Sequence, residues 1–380
     1  MKILMALTYY RPHVSGLTIY VQRLAEALAA RGHQVTVLTS HYTPELPKEE
    51  VMNGVRVVRV PALMKVSKGV IMPTFAWWAV RLIREHEVVS IHLPQFEASI
   101  LTFLCRCVLR RPCYITYHCD LQLPPGAFNR LVGAVVHIGN YVAGLLADGV
   151  VAYTEDYATH SPYLSRFKHK LKVIYPPVLI PPVDPAARRA FRDRLGLDDQ
   201  RVIGFAARIA AEKGVEYLLG ALPYILPEMP NARILFAGEY RNVIGENAYF
   251  DKLRPLIDQN RPYLTFLGVL SHQEMSAFFA SCDVLVLSSV NSTESFGLVQ
   301  VESMLCGTPV VAADLPGVRE PIRLTGMGET VPIRDERAIA AAVLKVIGNR
   351  SAYVKPRDDV AALFDLQRTV VEYERLFGNR

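Results

Sequence analysis

The chain has 380 residues, 51% of them hydrophobic and 21% charged, with 25 prolines and 23 glycines scattered without period. That is ample for two α/β domains and too much for one ordinary core, and it excludes a disordered chain or a fibre. The net charge of +6 is uneven, with 19 Lys/Arg against 11 Asp/Glu before Asp184 and 23 against 25 from Asp184 onward. The basic residues of the first half do not alternate with aromatics along any predicted strand, so nucleic acid is the least supported anionic partner and an anionic membrane surface the best supported.

Lys2 to Leu7 predicts a first strand; its apolar run is too short for a signal-peptide core and has no small-residue cleavage site. The loop Tyr9-Tyr10-Arg11-Pro12-His13-Val14-Ser15-Gly16 follows, then helical periodicity from Thr18 to Arg31 and a strand at Val35 to Thr39, which completes a βαβ unit. A helix N-terminus in the first βα turn is where such sheets bind ligands, although a lone Gly16 there is also an ordinary turn residue. Because the loop lacks a Gly-x-Gly-x-x-Gly run, a nicotinamide cofactor is not expected.

Val55 to Val60 predicts the next strand, followed by an irregular segment from Pro61 to Pro73 and a helix from Phe75 to Leu82. Trp77 and Trp78, with Lys65, Lys68, Arg81 and Arg84 nearby, combine aromatic and cationic character as interfacial segments do; a buried helix with a basic outer face explains them too. Further strands are expected at Val88 to His92 and Tyr114 to Tyr117. The second ends in His118, either a ligand-binding residue at the carboxyl end of a parallel strand or a satisfied core histidine. A Pro124-Pro125-Gly126 turn leads into an apolar helix that ends near Ala147, and Gly149 to Ala152 is the last strand of this half. The longest apolar stretch, Leu131 to Ala147, is broken by His137, Gly139, Asn140 and Gly144, so no transmembrane helix is expected.

Cys105, Cys107, Cys113, Cys119, Cys282 and Cys306 include no Cys-x-x-Cys pair and suit a reducing cytoplasm. Four of them cluster with His118 at a spacing that matches no common structural zinc site. The Pro176-Pro177 and Pro181-Pro182 pairs mark a stiff extended linker, which divides the chain into domains 1–180 and 181–356.

The second half restarts the pattern with a strand at Val202 to Ala206, a loop holding Arg208 and Lys213, and a helix from Glu216. Guanidinium and ammonium five residues apart in one βα loop form a natural clamp for a diphosphate, though loop cations are commonly just solvated. Strands at Arg233 to Ala237, ending at Gly238-Glu239, and at Leu264 to Gly268 come next, with a helix from His272. Cys282 to Leu287 is a short continuous apolar run, as a parallel strand buried on both faces requires. After it a helix is expected from about Phe296-Gly297, capped by Ser295 and stopped by Gly307, before a strand at Val310. Its first turn offers free N–H groups and the positive end of the helix dipole, a place for a phosphate. Glu294 and Glu302 frame that site with seven residues between them, too far apart to share a proton, so each suits a different hydroxyl-bearing part of one extended ligand; a solvated surface pair is the plainer reading. Arg357 to Phe377 reads as one long C-terminal helix.

Glu294 and Glu302 with Phe296-Gly297-Leu298 between them resemble the signature of retaining GT-B glycosyltransferases of family 4, the glycosyl transferases group 1, and the likeness covers nearly the whole chain. It implies an α/β GT-B fold of two Rossmann-like domains facing each other across a cleft, with the helix at 357–380 crossing back to the first. It also implies that Glu294 and His118 lie at the donor sugar, that Arg208 and Lys213 bind the pyrophosphate and neutralise the leaving group, and that Glu302 holds the ribose. Gly16, Gly238, Phe296, Gly297, Leu298 and Val299 then line the donor diphosphate, and Gly268, Val269 and Leu270 the nucleobase. Two departures from the family pattern stand out: Ser15 replaces the first glycine of the usual Gly-Gly pair, and Glu239 stands where a glycine is common.

The resemblance implies transfer of a sugar from a UDP- or GDP-sugar to a hydroxyl of a glycan or lipid-linked acceptor, with retention, in cell-surface polysaccharide or glycolipid synthesis. The residues accommodate either same-face attack or a covalent intermediate at Glu294. No Asp-x-Asp triplet occurs, so no metal and no cofactor are expected. A cytoplasmic enzyme, peripheral on the inner face of the plasma membrane, fits the charge. The rival readings are a nucleotide-sugar 2-epimerase of the same fold and a non-catalytic glycosyltransferase-like subunit.

Overall fold

The computed structural model describes all residues except 67–68, 123–125, 242, 244 and 379–380, so Lys68 and the Pro124-Pro125 turn lie outside the described residues. The chain folds as two compact units, one of Met1–Pro177 with Asp365–Arg380 and one of Val178–Phe364.

The first unit is built on strands β1 (Lys2–Ala6), β2 (Gln34–His41), β3 (Glu49–Met52), β4 (Val55–Pro61), β7 (Val88–Leu93), β8 (Cys113–Tyr117), β9 (Gly149–Ala152) and β10 (Leu171–Val173), with a separate hairpin of β5 (Met64–Val66) and β6 (Gly69–Ile71). They line up in the order β10-β9-β8-β7-β1-β2-β4-β3. All neighbours are parallel except β3 and β4, a hairpin that turns on Asn53 and Gly54, both at positive φ. Asn-Gly is the pair that a two-residue hairpin turn favours, a local signal absent from the expectations above. The helices α1 (Gly16–Ala30), α2 (Phe75–Glu85), α3 (Ala98–Phe103) and α4 (Ala127–Leu146) belong to this unit. Its core unites Leu4, Ile91, Ile115 and Val150 from four central strands with Leu82 of α2 and Leu101 of α3. Continuous apolar runs form these strands because helices cover both faces of a parallel sheet.

The second unit has β11 (Arg201–Ala206), β12 (Ala232–Ala237), β13 (Leu264–Gly268), β14 (Val284–Leu287), β15 (Val310–Ala313) and β16 (Gly328–Val331) in the order β13-β12-β11-β14-β15-β16, all parallel. Ile203, Phe205, Ile234 and Val286 pack there against Leu218 and Leu222 of the 215–225 helix and Val343 of the 336–348 helix.

At the C-terminus the structure differs from expectation. The single helix read from Arg357 to Phe377 is two, Arg357–Phe364 and Leu366–Gly378. The break falls at Asp365, whose carboxylate accepts a hydrogen bond from the Gln367 N–H (3.0 Å) and so starts the second helix. The first helix stays in the second unit, where the Phe364 and Phe296 rings meet edge on at 5.8 Å. The second belongs to the first unit: the Tyr373 hydroxyl bonds Tyr20 (2.7 Å) and Thr116 (2.8 Å), and Glu374 pairs with Arg31 and His33 (both 2.8 Å). The units therefore divide at Pro177/Val178 and Phe364/Asp365, where the sequence reading places the divisions at 180 and 356. Among the described residues no helix is long and apolar enough to cross a membrane.

Candidate functional site

In the second unit the order of strands reverses between β11 and β14, the topological switch point at which open α/β sheets bind ligands beyond the carboxyl ends of their strands. The carboxyl ends of β13, β12, β11 and β14 are neighbours. They carry, in that order, Gly268-Val269-Leu270, Gly238, the loop of Arg208 and Lys213, and the loop of Glu294 and Gly297.

Two glycines set the path of the loop after β11. Gly238 has φ +139, and a Cβ there would collide with the Ala207 carbonyl oxygen, so only glycine lets the end of β12 press against this loop. The Ile209 N–H then bonds the Glu239 carbonyl (2.8 Å). Gly214, at φ +60, ends the short 3₁₀ turn Ala211–Lys213, and a Cβ there would collide with the Ser288 carbonyl oxygen. The Ser288 hydroxyl donates to the carbonyls of Lys213 and Gly214 (3.0 Å each), and the Val290 N–H to the Glu212 carbonyl (3.0 Å). The loops after β11 and β14 are thus bonded into one surface.

That stitching brings Lys213 and Glu294 together, with Nζ 2.5 Å from Oε2. The Ser289 hydroxyl donates to the same oxygen at 3.4 Å. Arg208 turns instead to Glu212 four residues on, Nη2 to Oε1 at 2.7 Å. Glu212, Ser289 and Glu246 are not among the residues expected at the site. Glu212, reached across an irregular loop, and Glu246, which takes the Ala211 N–H at 3.0 Å from a distant loop, carry no local signal.

The helix expected from Phe296-Gly297 begins at Leu298 and runs to Leu305. Its N-cap is Gly297 rather than Ser295, because the chain enters the helix in a left-handed conformation (φ +75) that leaves no room for a Cβ, which would lie 2.6 Å from Leu287 Cδ2. The Gln300 amide donates to the carbonyls of Phe296 (2.5 Å) and Val318 (2.8 Å) and holds this entry in place. Phe296 is turned inward onto Phe364, while Leu298 and Val299 are half-buried at the helix start and Glu302 is buried one turn further in. Gly268 has φ +72 with open space around it, and Val269 beside it is exposed.

Gly16 and His118 belong to the first unit. Ser15, extended at φ −151, caps α1 by accepting the Thr18 N–H at 3.2 Å, so a serine serves where the family pattern has glycine. Gly16 opens the helix, with empty space where a Cβ would stand. His118 is buried, its Nε2 2.9 Å from His92 Nδ1 and its Nδ1 bonded to the Tyr153 hydroxyl. Burial and then the neighbouring His92 push the His118 pKa well below its ordinary value, and burial takes His92 down to about 3. Both rings are neutral at pH 7, so His118 acts as a hydrogen-bonding group and not as a cation. Among the described residues no cluster of three or more His, Cys, Asp or Glu is placed to hold a metal ion.

Cations and a helix N-terminus beside a paired carboxylate at a switch point are chemically suited to an anionic ligand such as a nucleotide. Residues 187–361 match the family model of the glycosyl transferases group 1 and residues 15–177 that of the glycosyl transferase 4-like domain. An uncharacterized glycosyltransferase of Methanocaldococcus jannaschii is 28% identical over 92% of this chain and 90% of its own, and the phosphatidyl-myo-inositol mannosyltransferase of Mycobacterium leprae 25% identical over 99% and 96%. The crystal structure of Anabaena HepE with UDP and glucose superposes with a TM-score of 0.80 at 19% identity, covering 100% of both chains. The protein belongs to the group 1 glycosyltransferases and has the GT-B fold.

Proposed function

We propose that the protein moves a hexose or related sugar, with retention, from a nucleoside diphosphate donor to a hydroxyl of a glycan or lipid-linked acceptor, at the cytoplasmic face of a membrane. The observation that carries this reading is the contact of Lys213 with Glu294 at the switch point, beside Arg208 and the N-terminus of the 298–305 helix. In the proposed complex the diphosphate lies on that N-terminus, and Arg208 and Lys213 stabilise the charge that develops as the nucleotide leaves, a role preorganised cations fill without a metal. Glu294 accepts hydrogen bonds from the sugar hydroxyls, Glu302 from the ribose, and the chain around Gly268 to Leu270 meets the base. UDP is the favoured nucleotide because HepE binds it, and a lipid-linked acceptor is favoured because a relative carries phosphatidyl-myo-inositol in its name.

The test is a thermal-shift panel of UDP, GDP, ADP and dTDP with and without Mg²⁺. A ligand at 100 times its Kd stabilises the protein by roughly 2.7 kcal/mol. A rise with one nucleotide and no metal names the donor class and supports the cationic clamp. No rise with any of them overturns the donor site and favours a non-catalytic subunit.

A further inference from the structure

The helix α4 has an outer face unlike that of an ordinary surface helix. Val132, Val136, Asn140, Ala143 and Gly144 are its buried side. On the other side Phe128, Leu131, Val135, Ile138, Val142 and Leu145 are between 37% and 66% exposed. They follow one another at alternating steps of three and four residues, which lays them in one stripe along the helix. In the 20 residues of α4 the only charged side chain is Arg130, and there is no carboxylate. Exposed apolar side chains continue on α3, whose Ser99 hydroxyl lies 3.7 Å from where a Cβ on Gly139 would stand: Ile100 and Phe103 are 45% and 50% exposed. A contiguous apolar patch of this kind marks a surface that something covers.

Cationic groups stand along its rim. The Arg166 guanidinium lies 5.4 Å from the centre of the Tyr141 ring on α4. Lys170 Nζ donates to the carbonyls of Leu145 (3.0 Å) and Ala147 (2.8 Å) at the C-terminal end of the helix. Arg130 and Lys168 are exposed, and Asp148, just past the helix, is paired with Arg106 at 2.9 Å.

We propose that this face of α4 docks the first unit on an anionic lipid bilayer, with the apolar stripe entering the boundary between headgroups and acyl chains and the basic rim meeting lipid phosphates. The charge decides against a second copy of the chain. A two-fold interface sets the same patch against itself and would place this cationic rim against its own image, whereas an anionic bilayer neutralises it. The surface is distinct from the Trp77-Trp78 helix. It rests on the proposed function and deepens it by naming how a lipid-linked acceptor is reached.

The experiment is co-sedimentation of the full chain with phosphatidylcholine vesicles, with and without phosphatidylglycerol, in the absence of donor and acceptor, so that its failure leaves the transfer reaction unaffected. Binding is expected to anionic vesicles and to weaken with salt. Leu131→Gln combined with Ile138→Gln is expected to lower vesicle affinity by about tenfold or more, and Arg166→Gln or Lys168→Gln by about fivefold each. Both apolar sites are more than 60% exposed, so the double variant should fold, and its melting curve checks this. Independently, the fluorescence that Leu131→Trp adds to that of Trp77 and Trp78 should be quenched by brominated lipid. No binding to anionic vesicles, equal binding by the double variant, loss of binding in Trp77→Gln alone, or an unquenched added Trp each overturns the proposal. So does a dimer in sedimentation velocity that the double variant dissociates.

Discussion

Lys213 Nζ and Glu294 Oε2 are 2.5 Å apart although 81 residues separate them in the chain, and their side chains are only 20% and 15% exposed. The pair is available to each other only because Gly214 passes against the Ser288 carbonyl and the Ser288 hydroxyl closes the gap. In the proposed complex the pair holds the ammonium ready for an incoming diphosphate, which would compete with the carboxylate for it.

Lys213→Ala and Arg208→Ala are each expected to lower turnover with the nucleotide sugar by about 10²–10³, and to weaken diphosphate binding by calorimetry. Both should lower the melting temperature, because each leaves a largely buried carboxylate, Glu294 or Glu212, each 15% exposed, without its cation. Near wild-type kinetics in both variants would remove the clamp.

Glu302→Ala should act on the nucleotide and not on the sugar. A hydrogen bond to a charged group contributes about 1.5–3 kcal/mol, or roughly tenfold to a hundredfold in affinity. Titration with free nucleoside diphosphate reads it directly, and unchanged affinity rules out contact with the ribose.

Gly297→Ala and Gly16→Ala make a matched pair. At Gly297 the positive φ and the 2.6 Å approach to Leu287 predict a loss of about 1–3 kcal/mol in urea unfolding, together with weaker phosphate binding. Gly16 has open space and an ordinary φ, so its replacement should leave stability close to wild type.

Glu97, buried at the start of α3 with Oε2 lacking a partner, has its pKa raised by burial to about 7. The Gln95 amide lies beside it without hydrogen-bond geometry. The unfolded chain ionises Glu97 near the ordinary value of 4.5 and the folded chain near 7, so the stability it contributes is complete below about 4.5 and is lost as pH rises through 7. The difference amounts to about 3 kcal/mol. Glu97→Gln should remove this part of the decline, seen as a smaller change in urea stability between acid and mildly alkaline pH than in the wild type; equal changes would refute the buried acid.

Much of this is legible in the residues. The apolar runs at Lys2–Ala6, Val284–Leu287 and Val310–Ala313 are parallel strands because nothing else buries such runs on both faces, and Gly297 announces a tight entry to a helix. The cap of that helix is not, because Ser295 has the right chemistry and only the backbone path past Leu287 shows that Gly297 takes the role. Nor is the break in the C-terminal helix, since apolar periodicity runs straight through Asp365 and it takes two different cores to part the chain there.

By itself the sequence determined the local order of strands and helices, the two-domain composition and the signature of Glu294 and Glu302 on either side of Phe296-Gly297-Leu298, since these depend on residue type and short spacing. Only the tertiary structure decided that Lys213 meets Glu294, that Arg208 meets Glu212, that His118 is neutral beside His92, and that the outer stripe of α4 is left uncovered. Most of those are relations between segments far apart in the chain, set by how strands pair and which helix face finds the sheet, and no local pattern encodes them.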